Sequence, residues 1–302
     1  MNISSYPLFE PLKKEHKPLF EEIFKNNPPE ISEFTFTNLY SWRHAYGFEV
    51  SMLDQFIILR SKKGFFMPLG SGDTKYVMRR VLKESGNIFI RVPEAVKILF
   101  NNDPGVAVEL DRDNSDYLFK MNDLVSLEGR KYDGKRNLIK KFRQEHEYRF
   151  IAFNASDVSR CLDFEEKWCS IKDCDSVEGL DNERRAIKDM VSNFSEFNLI
   201  AGAIEINPVG YQRLSNGVNS AILALAIGER LNLNTLVMHV LKADPNMPGL
   251  YQVMMHEFLE KSCSVFEYVN LEQDLGIEGL RKSKESYHPA RMINKYTIGP
   301  KR

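Results

Sequence analysis

The chain has 302 residues, of which 43% are apolar and 27% are charged, a composition typical of a folded protein with a packed core. This length fits two domains of ordinary size or one large domain. The formal net charge is -1, which excludes a generally basic surface, so any contact with nucleic acid must come from a local cluster of cations.

Signals for export or membrane insertion are not recognisable in the sequence. Residues 1–7 lack a basic region followed by an apolar one, and nowhere do eighteen apolar residues follow one another. The cysteines form no Cys-x-x-Cys pair, which favours buried, reduced thiols in a reducing compartment; they are Cys161, Cys169, Cys174 and Cys263. We therefore expect a cytoplasmic protein without a transmembrane segment, with peripheral attachment to a membrane as an alternative.

The amino-terminal part alternates between helices and strands. A helix is expected at 14–26, and the aromatic stretch at 33–43 predicts core packing or, alternatively, one wall of a ligand pocket. Short apolar bursts at 48–68 indicate a meander of strands, followed by a helix capped by Asp73 or Thr74. The remaining expected elements are strand 88–92, helix 94–100 and strands 106–110 and 117–121.

A basic helix is predicted within residues 127–143. One of its faces is apolar and another is cationic; the cations on that face are Arg136, Lys140 and Arg143. Such a face offers several positive charges to phosphate groups. The alternative is a solvated face neutralised by Glu145 and Glu147.

The second half is expected to begin with helices up to residue 197. Three strands are expected next, at 199–206, 221–230 and 235–241. They are followed by a helix at 250–261, a strand at 265–270, a helix at 276–287 and a strand at 292–298. The stretch 207–219 is rich in Asn, Gly and Ser, which predicts a mobile loop.

The helix predicted at 276–287 carries a lysine in a face that should pack inward. That face consists of Ile277, Leu280, Lys284 and Tyr287. Arg281 lies beside it and Asp274 precedes the helix, so a carboxylate, a guanidinium and an ammonium group could hold one another or an anionic ligand. Alternatively, Lys284 extends its aliphatic stem along the stripe and Arg281 pairs with Glu285 at the surface.

Residues 279–289 resemble a signature near the end of bacterial phosphatidylglycerol lysyltransferases, Gly-Leu-Arg-basic-x-Lys-x-x-aromatic-x-Pro. The basic segment at 127–136 is similar to another region of that family. The resemblance implies an α+β fold of two tandem GNAT-like (acetyltransferase-like) domains, each a mixed, mostly antiparallel sheet flanked by helices. We expect the boundaries 1–130 and 131–302. The resemblance also implies transfer of an amino acid from aminoacyl-tRNA to a lipid head group.

The sequence contains no Gly-x-Ser-x-Gly elbow, phosphate-loop lysine or two-histidine zinc motif, which argues against triad hydrolases, P-loop enzymes and metalloproteases. Acyl-CoA acetyltransferases place a glycine-rich phosphate cradle between a strand and the following helix. The equivalent junction, 242–250, contains Pro245 and Pro248, which remove two backbone donors. An aminoacyl ester on tRNA therefore fits better than CoA as the donor, and no cofactor is expected.

The catalytic candidates are Asp274, Arg281 and Lys284. Asp274 is expected to hold the amino group of the donor, and the two cations to bind phosphate and stabilise the transition state. The substrate-binding candidates are Lys135, Arg136, His239, Tyr251 and Tyr287. His239 is either a base or a satisfied core histidine.

Three functions stay open at this point. The first is aminoacyl transfer from tRNA to a lipid head group or to a small-molecule or peptide acceptor. The second is acyl-CoA-dependent N-acyl transfer. The third is a module without catalysis that binds RNA or an anionic ligand. The sequence does not indicate an oligomeric state.

Overall fold

A computed structural model describes residues 3–177, 179–206 and 221–301. The chain forms two compact units, one made of Met1–Leu118 with Leu271–Arg302 and the other of Phe119–Asn270. The division into tandem domains at 1–130 and 131–302 stays a prediction.

The elements follow the chain in this order. Up to residue 120 the helices are α1 (Lys17–Asn26), α2 (Phe36–Ser41), α3 (Arg43–Tyr46), α4 (Thr74–Ser85) and α5 (Glu94–Lys97). The strands are β1 (Glu10–Pro11), β2 (Glu49–Leu53), β3 (Phe56–Ser61), β4 (Gly64–Phe65), β5 (Leu69–Gly70), β6 (Phe89–Pro93), β7 (Val106–Leu110) and β8 (Asp116–Lys120).

After residue 120 the helices are α6 (Met121–Ser126), α7 (Asp133–Glu145), α8 (Val158–Lys172), α9 (Leu180–Ser192), α10 (Leu250–Ser262) and α11 (Glu278–Glu285). The strands are β9 (Tyr148–Ala152), β10 (Ile200–Ile206), β11 (Ala221–Arg230), β12 (Thr235–Ala243), β13 (Tyr268–Asn270), β14 (Arg291–Ile293) and β15 (Lys295–Pro300).

The first unit is built on a sheet with the strand order β1-β2-β3-β4-β6-β15-β7, and β5 also pairs with β3. Its pairs are antiparallel except for β4 with β6. The last strand, β15, lies between β6 and β7, so Tyr296 is opposite Val92 on one side and Leu110 on the other. The carboxyl-terminal segment is therefore part of the core that the amino-terminal strands build.

Helix α4 shows how local sequence defines this unit. The Asp73 side chain accepts a hydrogen bond from the Tyr76 backbone N–H, which confirms the predicted cap. The helix buries apolar residues three and four positions apart against the sheet, and the buried set is Val77, Met78, Val81 and Leu82. The aromatic stretch likewise packs inward, since Phe34, Phe36 and Leu39 are buried.

The second unit contains the sheet β9-β10-β11-β12-β13, antiparallel except for β12 with β13. Helix α10 packs against β10, β11 and β12, and α8 packs against β11. Together the two units confirm the expected mixed α+β architecture with mostly antiparallel sheets.

Several local predictions were wrong. Strand β9 lies where helices were expected, because the five-residue segment pairs with β10 rather than continuing a helix. Val265 is 79% exposed, and the strand predicted from it begins only at Tyr268. Cys169 and Cys174 form a disulfide, whereas Cys161 and Cys263 are free and buried. The loop predicted at 207–219 lies outside the described residues.

Candidate functional site

The turn before α11 brings a buried carboxylate and several cations together within the first unit. Tyr117 anchors the start of this turn, because Leu271 donates a backbone hydrogen bond to its carbonyl at 3.0 Å and its own N–H donates to Glu272 at 3.1 Å. Glu272, Leu275 and Gly276 all have positive φ angles, of 59°, 56° and 73°. Left-handed backbone at two non-glycine residues is costly and is concentrated at functional sites in proteins.

Asp274 lies at the centre of the site and is fully buried. Its carboxylate accepts hydrogen bonds from Arg281 Nε at 2.9 Å, Arg112 Nη1 at 3.1 Å and the Tyr117 hydroxyl at 2.6 Å. The backbone N–H of Gly276 donates a further bond at 2.8 Å. Burial alone would raise the pKa of Asp274, but the hydrogen bonds, that from Arg281 foremost, hold it well below its ordinary value.

These contacts change the role expected for Asp274. Its two oxygens already accept bonds from two guanidinium groups, a hydroxyl and a backbone amide, so it is not placed to hold the amino group of a donor. It orients Arg112 and Arg281 instead, and both side chains remain about one third exposed, at 35% and 34%. Arg281 also donates to Asp113 at 2.7 Å. The outward sides of the two guanidinium groups can bind an anion such as phosphate.

Lys284 lies on the inner side of α11 and donates to the backbone carbonyls of Leu271 and Gln273, each at 2.5 Å. Burial lowers the pKa of Lys284 to about 8. A neutral amine has two N–H groups and one lone pair, so two carbonyl acceptors match both donors and leave the lone pair available. Such an amine can accept a proton from a reacting hydroxyl group.

The inward stripe predicted for α11 is only partly present. Tyr287 is buried at 3% exposure, in a packed position rather than one open to a substrate. Ile277 and Leu280 are 52% and 41% exposed, so their predicted inward orientation is wrong. The helix turns its lysine, rather than these aliphatic residues, toward the preceding turn.

Arg112, Asp113 and Tyr117 were missed by the sequence reasoning. Tyr117 was interpreted only as part of a strand, and the polar run around Arg112 lies more than 150 residues before Asp274 in the chain. The one signal available was an Arg-Asp pair directly after a predicted strand, which is common at protein surfaces.

The basic helix α7 lies in the second unit. The Arg136 guanidinium donates to the carbonyls of Leu127 and Gly129 and to Asp133, so it stabilises the segment before the helix. Burial lowers the pKa of Lys135, which is half-buried on the same helix. Arg143 pairs with Glu257 at 2.8 Å. The cationic face is thus partly used in internal contacts.

His239 and Tyr251 also lie in the second unit. His239 Nε2 is 2.8 Å from Glu229 Oε1 and its side chain is 1% exposed, an arrangement that fits a satisfied core histidine. Tyr251 lines a cavity of about 330 Å³ at the β12–α10 junction, together with Trp168, Pro245 and Pro248.

A buried lysine forms part of the wall of this cavity. Lys242 Nζ is 2.7 Å from Glu165, 2.9 Å from Glu183 and 3.8 Å from the centre of the Trp168 ring. Its charge is therefore compensated inside the unit. Among the residues that the structure describes, no cluster of histidine, cysteine and carboxylate side chains could hold a metal ion.

The family model for the C-terminal part of phosphatidylglycerol lysyltransferase matches residues 24–299. The chain belongs to this family. No protein with a curated description matches the sequence. Within the described segments, no helix of this family member is both long and apolar enough to cross a membrane.

Three solved structures are similar to this family member. A conserved protein of unknown function from Bacteroides thetaiotaomicron is 30% identical, with a TM-score of 0.85 over 97% of this chain and 99% of that chain. The C-terminal domain (DUF2156) of a protein described as a lysylphosphatidylglycerol synthetase from Agrobacterium fabrum is 12% identical, with a TM-score of 0.62 over 94% and 91%. L-PGS from Bacillus licheniformis is 12% identical, with a TM-score of 0.62 over 99% and 94%. The last two show a shared fold.

Proposed function

We propose that this protein is an aminoacyltransferase that moves an amino acid from aminoacyl-tRNA to a hydroxyl or amine acceptor carrying an anionic group, such as a phospholipid head group. The observation that carries the proposal is the arrangement of the family signature. It places Arg281 on the buried Asp274 carboxylate and Lys284 on two backbone carbonyls, with Arg112 completing a pair of partly exposed guanidinium groups.

The proposed reaction is an acyl transfer whose atoms balance without a cofactor. The acceptor oxygen or nitrogen attacks the ester carbonyl of the donor and forms a new acyl bond, and the ester bond to the tRNA 3′ end breaks. Lys284 in its neutral form takes the proton from the acceptor and returns it to the leaving oxygen. Arg112 and Arg281 bind a phosphate group and stabilise the negative charge that develops on the carbonyl oxygen.

The exposed sides of the guanidinium groups and the family support an anionic acceptor. Arg112 and Arg281 share the buried Asp274 carboxylate. Each also contacts a more exposed carboxylate, Glu285 and Asp113 respectively, which an anionic acceptor would replace. The family is that of the C-terminal part of phosphatidylglycerol lysyltransferase, and one similar structure is described as a domain of a lysylphosphatidylglycerol synthetase, which supports a phosphatidylglycerol-like head group. Because aminoacyl-tRNA is a cytoplasmic donor, the proposal places the reaction in the cytoplasm or at the inner face of a membrane.

An acyl-CoA enzyme is the second candidate, supported by the cavity at the β12–α10 junction. This is the position where acetyltransferases cradle the pyrophosphate of CoA. Pro245 and Pro248 lie in its wall and provide no backbone N–H, so this cradle would lack two donors. We therefore rank CoA below aminoacyl-tRNA.

The test is transfer of radiolabel from a mixed pool of charged tRNAs, in the presence of phosphatidylglycerol vesicles, into lipid-soluble and acid-soluble fractions. Wild-type protein is expected to label one fraction, and Lys284→Ala and Arg281→Ala to abolish that label. Lys282→Ala is the matched control, because Lys282 is on the same helix, is 73% exposed and pairs only locally with Glu278. No label with any amino acid from folded wild-type protein would reject the proposal.

A further inference from the structure

A fully buried ion pair lies behind the turn that holds Lys284. Lys295 Nζ is 2.6 Å from Asp116 Oδ1, and both side chains are 0% exposed. Lys295 also contacts Glu33 at 2.6 Å. A buried pair of this kind seldom adds to stability compared with apolar residues of similar volume, so its presence calls for another reason.

The pair is connected to the turn by Ser32. The Ser32 backbone N–H and hydroxyl donate to Asp116 at 2.8 and 2.9 Å. The same hydroxyl lies 3.3 Å from the side-chain oxygen of Gln273, whose backbone carbonyl accepts a bond from Lys284. A chain of direct polar contacts therefore connects Lys295 with Lys284. It passes through Asp116 and Ser32 to the side chain of Gln273, whose own backbone carbonyl binds Lys284.

The pair also acts on Lys284 through its charges. After burial itself, the groups that influence the pKa of Lys284 are the carboxylates of Glu272, Asp116 and Asp274, which raise it, and the ammonium group of Lys295, which lowers it. The two members of the buried pair therefore have opposite effects on the same amine. Because Asp116 and Lys295 are fully buried, solvent and salt screen their charges only weakly.

We infer that Asp116 and Lys295 are positioning residues for Lys284: through Ser32 they hold the turn whose carbonyls bind its amine. The inference rests on the proposed function insofar as Lys284 acts as the base. In this arrangement Asp116 favours the protonated amine and Lys295 favours the neutral, proton-accepting one. Two buried residues that contact no substrate thus influence the protonation of the Lys284 amine.

The test is a direct titration of Lys284 by NMR in protein labelled with ¹³C at the lysine Cε, with the signal assigned by its absence in Lys284→Arg. Wild-type Lys284 is expected to titrate near pH 8, apart from ordinary lysines near 10.4. Asp116→Asn should lower the midpoint and Lys295→Met should raise it, each by about one pH unit. Each variant leaves the surviving partner other contacts, Glu33 for Lys295 and Ser32 for Asp116.

Opposite shifts distinguish this role from a merely structural one, because general loosening would move both variants in the same direction, toward an ordinary lysine. Shifts of the same sign, no shift, or wild-type titration above pH 10 would each overturn the inference. If Lys295→Met does not fold, Asp116→Asn alone still tests the inference, because loss of its charge should lower the midpoint whereas loosening would raise it. An unchanged or raised midpoint in Asp116→Asn contradicts the inference.

This titration needs no substrate, so the inference and the proposed function can fail separately. Opposite shifts without any aminoacyl transfer would reject the proposed function alone. Transfer by wild-type protein without opposite shifts would reject the inference alone. In an active enzyme, the midpoint of the pH–rate profile should move with the Lys284 midpoint in both variants.

Discussion

Arg281 donates two hydrogen bonds to Asp274, from Nε to Oδ2 at 2.9 Å and from Nη2 to Oδ1 at 3.0 Å, across seven residues of chain. This two-point contact fixes the plane of the guanidinium group and connects α11 to the strained turn before it. The orientation of the partly exposed Arg281 guanidinium group thus depends on a carboxylate that is itself fully buried.

Asp274→Asn is expected to lower the free energy of unfolding by about 2–4 kcal/mol, because it leaves Arg112 and Arg281 beside a neutral amide in a buried position. Urea unfolding at pH 7 measures the change. Asp113→Asn is the control: it also contacts Arg281, but its side chain is 59% exposed, so a loss below about 1 kcal/mol is expected. Equal losses in the two variants would contradict the central position of Asp274.

Transfer activity should depend on pH through Lys284. Its pKa is lowered to about 8 and the proton-accepting form is the neutral amine. The rate of transfer should therefore fall about tenfold for each pH unit below that value and level off above it. Single-turnover rates between pH 6 and 9 give the profile, and Lys284→Arg, which cannot lose its proton, should lack the ascending limb. A flat wild-type profile would remove Lys284 from the role of base.

Much of this fold could be predicted from periodicity and caps. The strand at Val106–Leu110 was predicted as the structure has it, and Asp73 is one of the two residues predicted as the cap of α4. These features are local, because a side-chain cap or an alternation of apolar residues depends on neighbours within a few positions. The predicted helix 276–287 was too long at both ends: positive φ at Leu275 and Gly276 precedes its actual start at Glu278, and the helix ends at Glu285.

The site was predictable only where residues are close in sequence. Asp274, Arg281 and Lys284 lie within eleven positions, and the structure brings them together. Arg112, Asp116 and Lys295 join them through strand pairing, such as that of β14 with β8, which no local pattern encodes. The burial of Lys295 could not be predicted from the sequence either, since lysine is usually exposed, also within a strand.

Arg281→Lys should lower transfer by about 10- to 100-fold while the protein stays folded. Lysine keeps the charge but loses the planar fork that contacts Asp274 and Asp113 together, so charge-assisted hydrogen bonds are lost. The value of kcat/KM, measured at several acceptor concentrations, gives the effect. Lys282→Arg is the matched control and should be within twofold of wild type. An unchanged Arg281→Lys enzyme would show that only the charge matters.

Two glycines near the site should respond in opposite ways to alanine. Gly276 has φ +73, and an added Cβ would lie 2.9 Å from Asp113 Oδ2, so Gly276→Ala should cost about 1–2 kcal/mol. Gly279 is in α11, and a Cβ there meets nothing within 4 Å, so Gly279→Ala should stabilise by about 0.5–1 kcal/mol. Thermal melts of both variants test this, and a stabilised Gly276→Ala would disprove the strained turn.

Acetyl-CoA should not bind saturably at the β12–α10 cavity. Pro245 and Pro248 deprive the cavity wall of two backbone donors that a pyrophosphate would need. The chain has two tryptophans, and Trp168 lines the cavity, so Trp42→Phe leaves a single fluorescent reporter at this place. Its fluorescence should stay unchanged during titration with acetyl-CoA, with Trp168→Phe as the blank for non-specific quenching. A saturable change that Tyr251→Ala weakens would instead favour the acyl-CoA enzyme and count against tRNA as the donor, because a functional CoA site would then exist despite the two prolines.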